Sequence, residues 1–252
     1  MPGLIDRHLE PLPMGHPCQG CEARGQAVCG VLDCESLAQF RKLGSTLRLG
    51  IGQTLFREGD PATRVFTLTR GSLRLYKLLP DGRRHIVGFM APGDFLGISV
   101  DDEHAFTAEM IEDGELCCFP RSRFDEFTVG HPSMERELYQ MAAHELSAAQ
   151  LQLVLLGRKT AAERLAQFLL ILAWKNQRPG DETNVVKLPM QRGDIADYLG
   201  LTKETVSRLL SAFRAARLVR LRELHEVEIL DRPLLEQLAE GEAGERAAMI
   251  SA

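Results

Sequence analysis

Six cysteines are the residues of this chain best equipped for chemistry: Cys18, Cys21, Cys29, Cys34, Cys117 and Cys118. Four of them fall within seventeen residues near the N-terminus, as C-x2-C-x7-C-x4-C. A C-x2-C pair lets two thiolates from one short turn reach one metal centre, and further ligands must come from elsewhere. The chain opens Met1-Pro2-Gly3-Leu4-Ile5-Asp6, with no basic segment followed by a long apolar one. Its longest uninterrupted apolar run, Phe168 to Trp174, is far short of the ~20 residues that span a bilayer. The expected compartment is the cytoplasm, with no membrane partner, where thiols stay reduced. In that setting the spacing suggests metal ligation ahead of disulfides. Structural zinc held by thiolates is one such chemistry. Free thiols and a redox enzyme using Cys18 and Cys21 are rivals, the latter without a thioredoxin-like βαβ context. The seven histidines show no ligand spacing.

A second constellation lies in the C-terminal part. The formal net charge is -5, yet Lys187 to Arg222 carries eight Lys or Arg against three acids. Such asymmetry is a reason to look for nucleic-acid binding there. Between Arg84 and Arg121 the balance reverses, with eight acids and no Lys or Arg. A phosphate-bearing effector finds no cation in that window.

Within the basic stretch, Ile195, Ala196 and Leu199 make one short apolar helix face, and Gly200 permits a sharp turn. Thr202 is a good N-cap for the next helix, in which Val206, Leu209, Leu210 and Phe213 point inward. Lys203, Glu204, Ser207 and Arg208 then point outward near its N-terminus, where a recognition helix meets base edges. Arg pairs bidentately with guanine, Glu accepts from cytosine and Ser bonds either way. Arg192, Lys203, Arg214 and Arg217 are available to phosphates, and Thr202 counts with Arg192 and Lys203 among the expected DNA-binding residues. Val219–Leu221 and Val227–Ile229 form a small wing.

The elements that must position these groups read as follows. Residues 1–45 form an N-terminal arm with the cysteines, ending in a short helix from Glu35 to Leu43. Residues 46–132 show short apolar runs punctuated by turns, the pattern of an antiparallel sandwich or roll, with Asp81-Gly82 as a hairpin tip. Residues 133–160 hold a long helix from Ser133 to Leu156, broken by Gly157-Arg158-Lys159-Thr160. Its Leu138, Ala142, Leu146, Ala149, Leu153 and Leu156 recur close to a heptad seam, as expected for pairing with a second copy. Residues 161–252 continue with a helix from Ala161 to Asn176, a polar loop over 177–184 and the helix-turn-helix. The fold class is α+β: an N-terminal antiparallel β-roll, a long dimerisation helix and a C-terminal winged helix-turn-helix.

From about Cys18 to Ala239 this order resembles the CRP/FNR family of bacterial transcription regulators. Leu96-Gly97, the Ala161-to-Leu165 segment with its Glu163 and Arg164, and Glu204-Thr-Val-Ser-Arg208 stand where the family has similar segments. The resemblance implies a non-enzymatic homodimer that binds double-stranded DNA and meets RNA polymerase. The Glu-x-x-Ser-Arg pattern resembles the FNR branch, which implies Glu204, Ser207 and Arg208 as readers of palindromes with TTGAT half-sites. Cyclic-nucleotide members place a Glu after the glycine of the phosphate cassette and an Arg soon after it. Here Ile98 follows Gly97 and the Arg is missing, so no cyclic nucleotide is expected. The FNR branch's oxygen sensors hold a [4Fe–4S] cluster with three N-terminal cysteines and one in the roll. Cys18, Cys21 and Cys29 match an alphaproteobacterial subgroup (FnrL-, AadR- and FnrN-like proteins), and Cys117 stands at the roll position of a C-x-x-P pattern. If that stretch is a strand, Cys118 faces the opposite side. Cys34 is a spare that competes with Cys29 as third ligand. The resemblance thus implies oxygen sensing, with nitric oxide as the other signal that attacks such clusters.

Overall fold

The computed structural model describes Leu9 and residues 11–99, 101–176, 184–223 and 225–242. The chain divides into two units, Met1–Leu146 and Ser147–Ala252.

Unit one begins with a succession of turns and a single 3-10 turn, Val28–Val31, before the short helix α1, Cys34–Lys42. Asp33 caps that helix by accepting from the Ser36 N–H at 2.8 Å. Eight strands follow: β1 Ser45–Leu49, β2 Thr54–Phe56, β3 Arg64–Arg70, β4 Leu73–Leu78, β5 Arg84–Met90, β6 Phe95–Leu96, β7 Thr107–Met110 and β8 Gly114–Pro120. They build two four-stranded sheets, ordered β1-β8-β3-β6 and β2-β7-β4-β5, with every pairing antiparallel. The β4–β5 hairpin turns over the expected tip, where Gly82 takes the left-handed conformation at φ 82°. Gly97 also has positive φ, 93°, and a Cβ there would lie 2.6 Å from the Arg64 carbonyl. Strand β6 can therefore lie against β3 only if this residue is glycine.

Two apolar layers result. Phe66, Leu68, Leu73, Met110, Leu116 and Cys118 fill the interior of the roll. On the outer face of β3 and β8 lies a second cluster: Val28 and Leu32 of the arm, Leu37 and Phe40 of α1, Val65, and Phe119. It is completed by Phe124 of α2, Arg121–Val129, and by Met134 of α3, Pro132–Arg158. Phe40 stacks on Phe119 at 4.3 Å between ring centroids, which clamps the arm and α1 to the sheet.

Helix α3 runs two residues past the expected stop, through Gly157 and Arg158. A lone glycine lowers helix stability without ending it, and the Lys159 N–H still donates to the Leu155 carbonyl at 3.2 Å. The real stop is the start of the next helix, α4, Ala161–Asn176. There the Thr160 N–H donates to Glu163 Oε2 at 3.1 Å and the Glu163 N–H to Thr160 Oγ1 at 3.4 Å.

In unit two, α5 (Arg192–Leu199) and α6 (Lys203–Ala215) form the helix-turn-helix on one side of α4. The wing strands β10 (Val219–Glu223) and β11 (Glu226–Ile229) are joined by β9 (Val185–Lys187), in the order β10-β11-β9. Sequence reasoning missed β9, too short to show a period. It also missed α7, Arg232–Glu240, although Asp231 caps it by accepting from the Leu234 N–H and Pro233 opens it. Of the expected 177–184 loop, only Asn184 falls among the described residues, its carbonyl accepting from the Ile229 N–H.

Replacing Phe40 by Ala removes the ring that holds α1 to Phe119, Phe124 and Phe127. Chemical denaturation of that variant should show unit one less stable by about 3–5 kcal/mol.

Candidate metal centre and nucleic-acid interface

The arm sets its cysteines by tight backbone bonding. The Cys18 N–H donates to His16 Nδ1 at 3.1 Å, the Cys21 N–H to the Cys18 carbonyl at 3.2 Å and the Arg24 N–H to the Cys21 carbonyl at 3.3 Å. Cys29 sits in the 3-10 turn. Opposite them, β8 alternates: Cys118 points into the roll with Leu116, whereas Cys117, in register with Thr46 and Thr67, points outward with Phe119. Cys18, Cys29 and Cys117 all pack on the outer apolar layer.

The electrostatics show which thiols stand together. Burial pushes the Cys29 thiol up to about 12, with Cys18, Cys21 and Cys117 adding to it. Burial pushes Cys117 up to about 11; Arg41 opposes this, while Cys21 and Cys18 add to it. Cys18 is raised first by burial and then by Cys21, against Arg41 and Arg24. Cys18, Cys21 and Cys117 thus all bear on the Cys29 thiol. Cys34 stands at the start of α1, and Cys118 points into the roll, 3.6 Å from Arg64 Nη1.

A cleft of about 260 Å³ opens beside Cys18 and Cys21, walled by Leu9, Leu12 and Arg24. Among the described residues, no three His, Cys, Asp or Glu side chains converge as they would around one metal ion. A [4Fe–4S] cluster offers each thiolate its own iron and does not need that convergence. The donor set, four soft sulfurs of which Cys18, Cys29 and Cys117 lie on an apolar bed, fits it.

Sequence reasoning missed Arg24 and Arg41, the cations that favour the thiolates; Arg24 is buried within the cysteine segment itself. It also passed over His16, which fixes the Cys18 backbone.

The DNA-reading residues are held by helix ends. A capping box opens α5, formed by Gln191 and the buried Asp194. Gly200 closes it at φ 63°. Thr202 Oγ1 accepts from the Thr205 N–H at 3.1 Å, so its hydroxyl serves the cap of α6. Val206, Leu209, Leu210 and Phe213 are buried, which turns Lys203, Glu204 and Arg208 to solvent with Ser207 half-buried between them. Lys203, Glu204 and Arg208 make no hydrogen bond or ion pair to any described residue and stay available to a partner. Arg192, at the first position of α5, is half-buried. On the wing, Arg220 and Arg222 both donate to Glu228, at 3.0 Å each to Oε2. The Arg222 hydrogen bonds, ahead of the charges of both arginines, hold that carboxyl below its usual range.

Along α3, Ala142, Leu146, Ala149 and Leu153 are exposed, Leu146 by 61% and Leu153 by 73%. The ends of the expected seam face elsewhere. Leu138 is half-buried against the outer apolar layer of unit one, and Leu156 is half-buried, its Cδ2 3.6 Å from where a Cβ on Gly200 would stand. Tyr139, 77% exposed, takes the first place, giving a 139, 142, 146, 149, 153 row at heptad spacing.

An antiparallel roll, a long helix and a winged helix-turn-helix with an exposed recognition face define a DNA-binding regulator. Residues 46–131 match the cyclic nucleotide-binding domain and residues 163–238 the Crp-like helix-turn-helix domain. The chain is 45% identical over 198 residues to the nitrogen fixation regulation protein FixK of Bradyrhizobium diazoefficiens, covering 78% of this chain and 83% of that protein. It is 43% identical over 201 residues to the transcriptional activatory protein AadR of Rhodopseudomonas palustris, covering 79% and 83%. The solved structure of FixK2 from Bradyrhizobium japonicum superposes with a TM-score of 0.72 at 35% identity, covering 77% of this chain and 96% of that one. The chain belongs to the CRP/FNR family of transcription regulators. No helix among the described residues is long and apolar enough to cross a membrane.

Because Glu228 holds both wing arginines, Glu228→Gln should release them toward phosphates. Titrations of operator DNA at several salt concentrations should then show tighter binding and a log K against log salt slope steeper by up to about 2.

Proposed function

We propose that this regulator responds to oxygen: Cys18, Cys21, Cys29 and Cys117 hold a [4Fe–4S] cluster at low oxygen, and the loaded protein pairs through α3 and binds palindromic DNA with TTGAT half-sites. One observation carries the reading. Cys18 and Cys29 of the arm and Cys117 of β8 pack on the same apolar layer, with Cys21 one turn on from Cys18, while Cys118 points into the roll and Cys34 opens α1. When bound, such a cluster supplies an oxygen-labile cross-link between the arm and the roll.

The chain's own residues do the rest. Cys117 lies 88 residues beyond Cys29, so the ligands stand on two elements, and holding them together fixes the arm against β8 and the apolar layer that also receives Met134 and Leu138 of α3. That links the state of the thiols to the first turns of the pairing helix, a population shift biased by ligation. Tyr139, Ala142, Leu146, Ala149 and Leu153 supply the apolar row for a second copy. Pairing sets two α6 helices to reach successive major grooves, about 34–36 Å apart, where Glu204, Ser207 and Arg208 meet base edges. Ile98 after Gly97, and the absence of Lys or Arg between Arg84 and Arg121, speak against a cyclic nucleotide as the signal. AadR's description as a transcriptional activatory protein supports activation through contact with RNA polymerase.

Oxygen-free protein should be coloured, carry iron and sulfide, and shift a TTGAT palindrome; an air pulse should bleach it and abolish the shift. Cys117→Ala should lose the iron and Cys118→Ala should keep it. A colourless, zinc-loaded protein whose DNA binding ignores air would overturn the reading. A cluster that survives air but bleaches with nitric oxide would reassign the signal.

A further inference from the structure

Three helix carboxyl ends meet in the DNA-binding unit, and a few side chains from α3, α4 and the link between them tie them together. Arg164, in the first turn of α4, donates Nε to the Lys159 carbonyl at 2.9 Å, Nη2 to the Leu156 carbonyl at 2.9 Å and Nη1 to the Leu199 carbonyl at 3.0 Å. One guanidinium therefore binds the end of α3 and the end of α5 at once. Gln152 Nε2, on α3, donates to the Tyr198 carbonyl of α5 at 3.0 Å. Lys159 Nζ donates to the Ala239 carbonyl of α7 at 2.7 Å and to Gln167 Oε1 at 3.1 Å. Helix carboxyl ends carry unpaired carbonyls and a partial negative charge, so cations placed among several of them bind strongly and directionally. Leu155 is buried on the same stretch of α3.

We propose that Arg164 and Gln152 are positioning residues for DNA recognition: they lock the last turns of α3 to α5, and so hold the recognition helix at a fixed angle to the pairing helix. This rests on the reading that the protein pairs through α3 and binds a palindrome. Helix α5 passes the constraint to α6 through the left-handed Gly200 and the Leu201 N–H bond to the Ala196 carbonyl. In a pair formed along α3, the separation of the two α6 helices is then set by these bonds, and with it the half-site spacing that the protein accepts. A planar guanidinium reaches three carbonyls in different directions; an ammonium in its place cannot reproduce the geometry.

The test uses the full chain, prepared without oxygen at matched iron and sulfide content. Binding is measured by anisotropy to duplexes carrying two TTGAT half-sites at the preferred spacing, one base pair shorter and one longer, and to a single half-site. The wild type should prefer one spacing. Arg164→Lys should lose that preference by about tenfold or more, the size of a forfeited charge-assisted hydrogen bond, and Gln152→Leu by about threefold to tenfold, the size of a neutral one. Their dimer by sedimentation and their half-site affinity should be unchanged, and their melting temperature should fall by no more than a few degrees. Variants that keep the wild-type spacing preference would overturn the inference. So would a loss shared equally by the half-site and accompanied by a larger fall in melting temperature, which is the signature of damaged folding. A wild type with no preference among the duplexes would instead remove the parent reading of palindrome recognition, and the inference with it.

Discussion

The two-residue period of β8 is the constraint on which the N-terminal unit is built. Successive side chains of a strand leave on opposite faces, so Leu116 and Cys118 enter the roll while Cys117 and Phe119 leave it. Phe119 then becomes the floor on which Phe40, Phe124 and the arm are laid, and Cys117 becomes a wall facing the arm cysteines. A one-residue slip would exchange the two cysteines and drive Phe119 into the roll. The register is pinned on both sides, by β1 and by β3, which makes such a slip costly.

Burial and mutual repulsion between thiolates work in the same direction at the cysteine centre, and both favour the protonated form. Ligation must displace those protons, so the affinity for any thiophilic group is linked to proton release. Arg41 and Arg24 work against the penalty, and Arg41 is itself fixed by bonds to the Gly44 carbonyl and the Thr46 hydroxyl. A soft group taken up there would meet an apolar bed and two cations that favour the thiolates.

In the DNA-binding unit the ordering forces sit at helix ends. Thr160 with Glu163, Gln191 with Asp194, Thr202 and Asp231 satisfy amino ends, and Gly200 and Gly241 close carboxyl ends in the left-handed conformation. Arg164 and Lys159 answer the carbonyls that remain. The recognition face of α6 is left with uncommitted charge because its orientation is secured from the other side, by Val206, Leu209, Leu210 and Phe213.

Much of this was legible in the chain alone. Apolar periods located α1, α4, α5, α6 and the roll strands, because those segments bury one face and must repeat at 3.6 or 2 residues. The same period separated Cys117 from Cys118 before any coordinates. What local pattern could not decide was long-range. It missed β9, which is a strand only because β11 pairs with it, and it placed Leu138 and Leu156 on the open seam when each has a neighbour in its own unit. It could not see that Arg24 and Arg41 lie beside thiols, or that Arg164 spans two helix ends. Residue types and spacing decide which groups can pair, point outward or ligate; which charges and carbonyls actually meet depends on contacts between residues far apart in the chain, and only the packed structure brings those together.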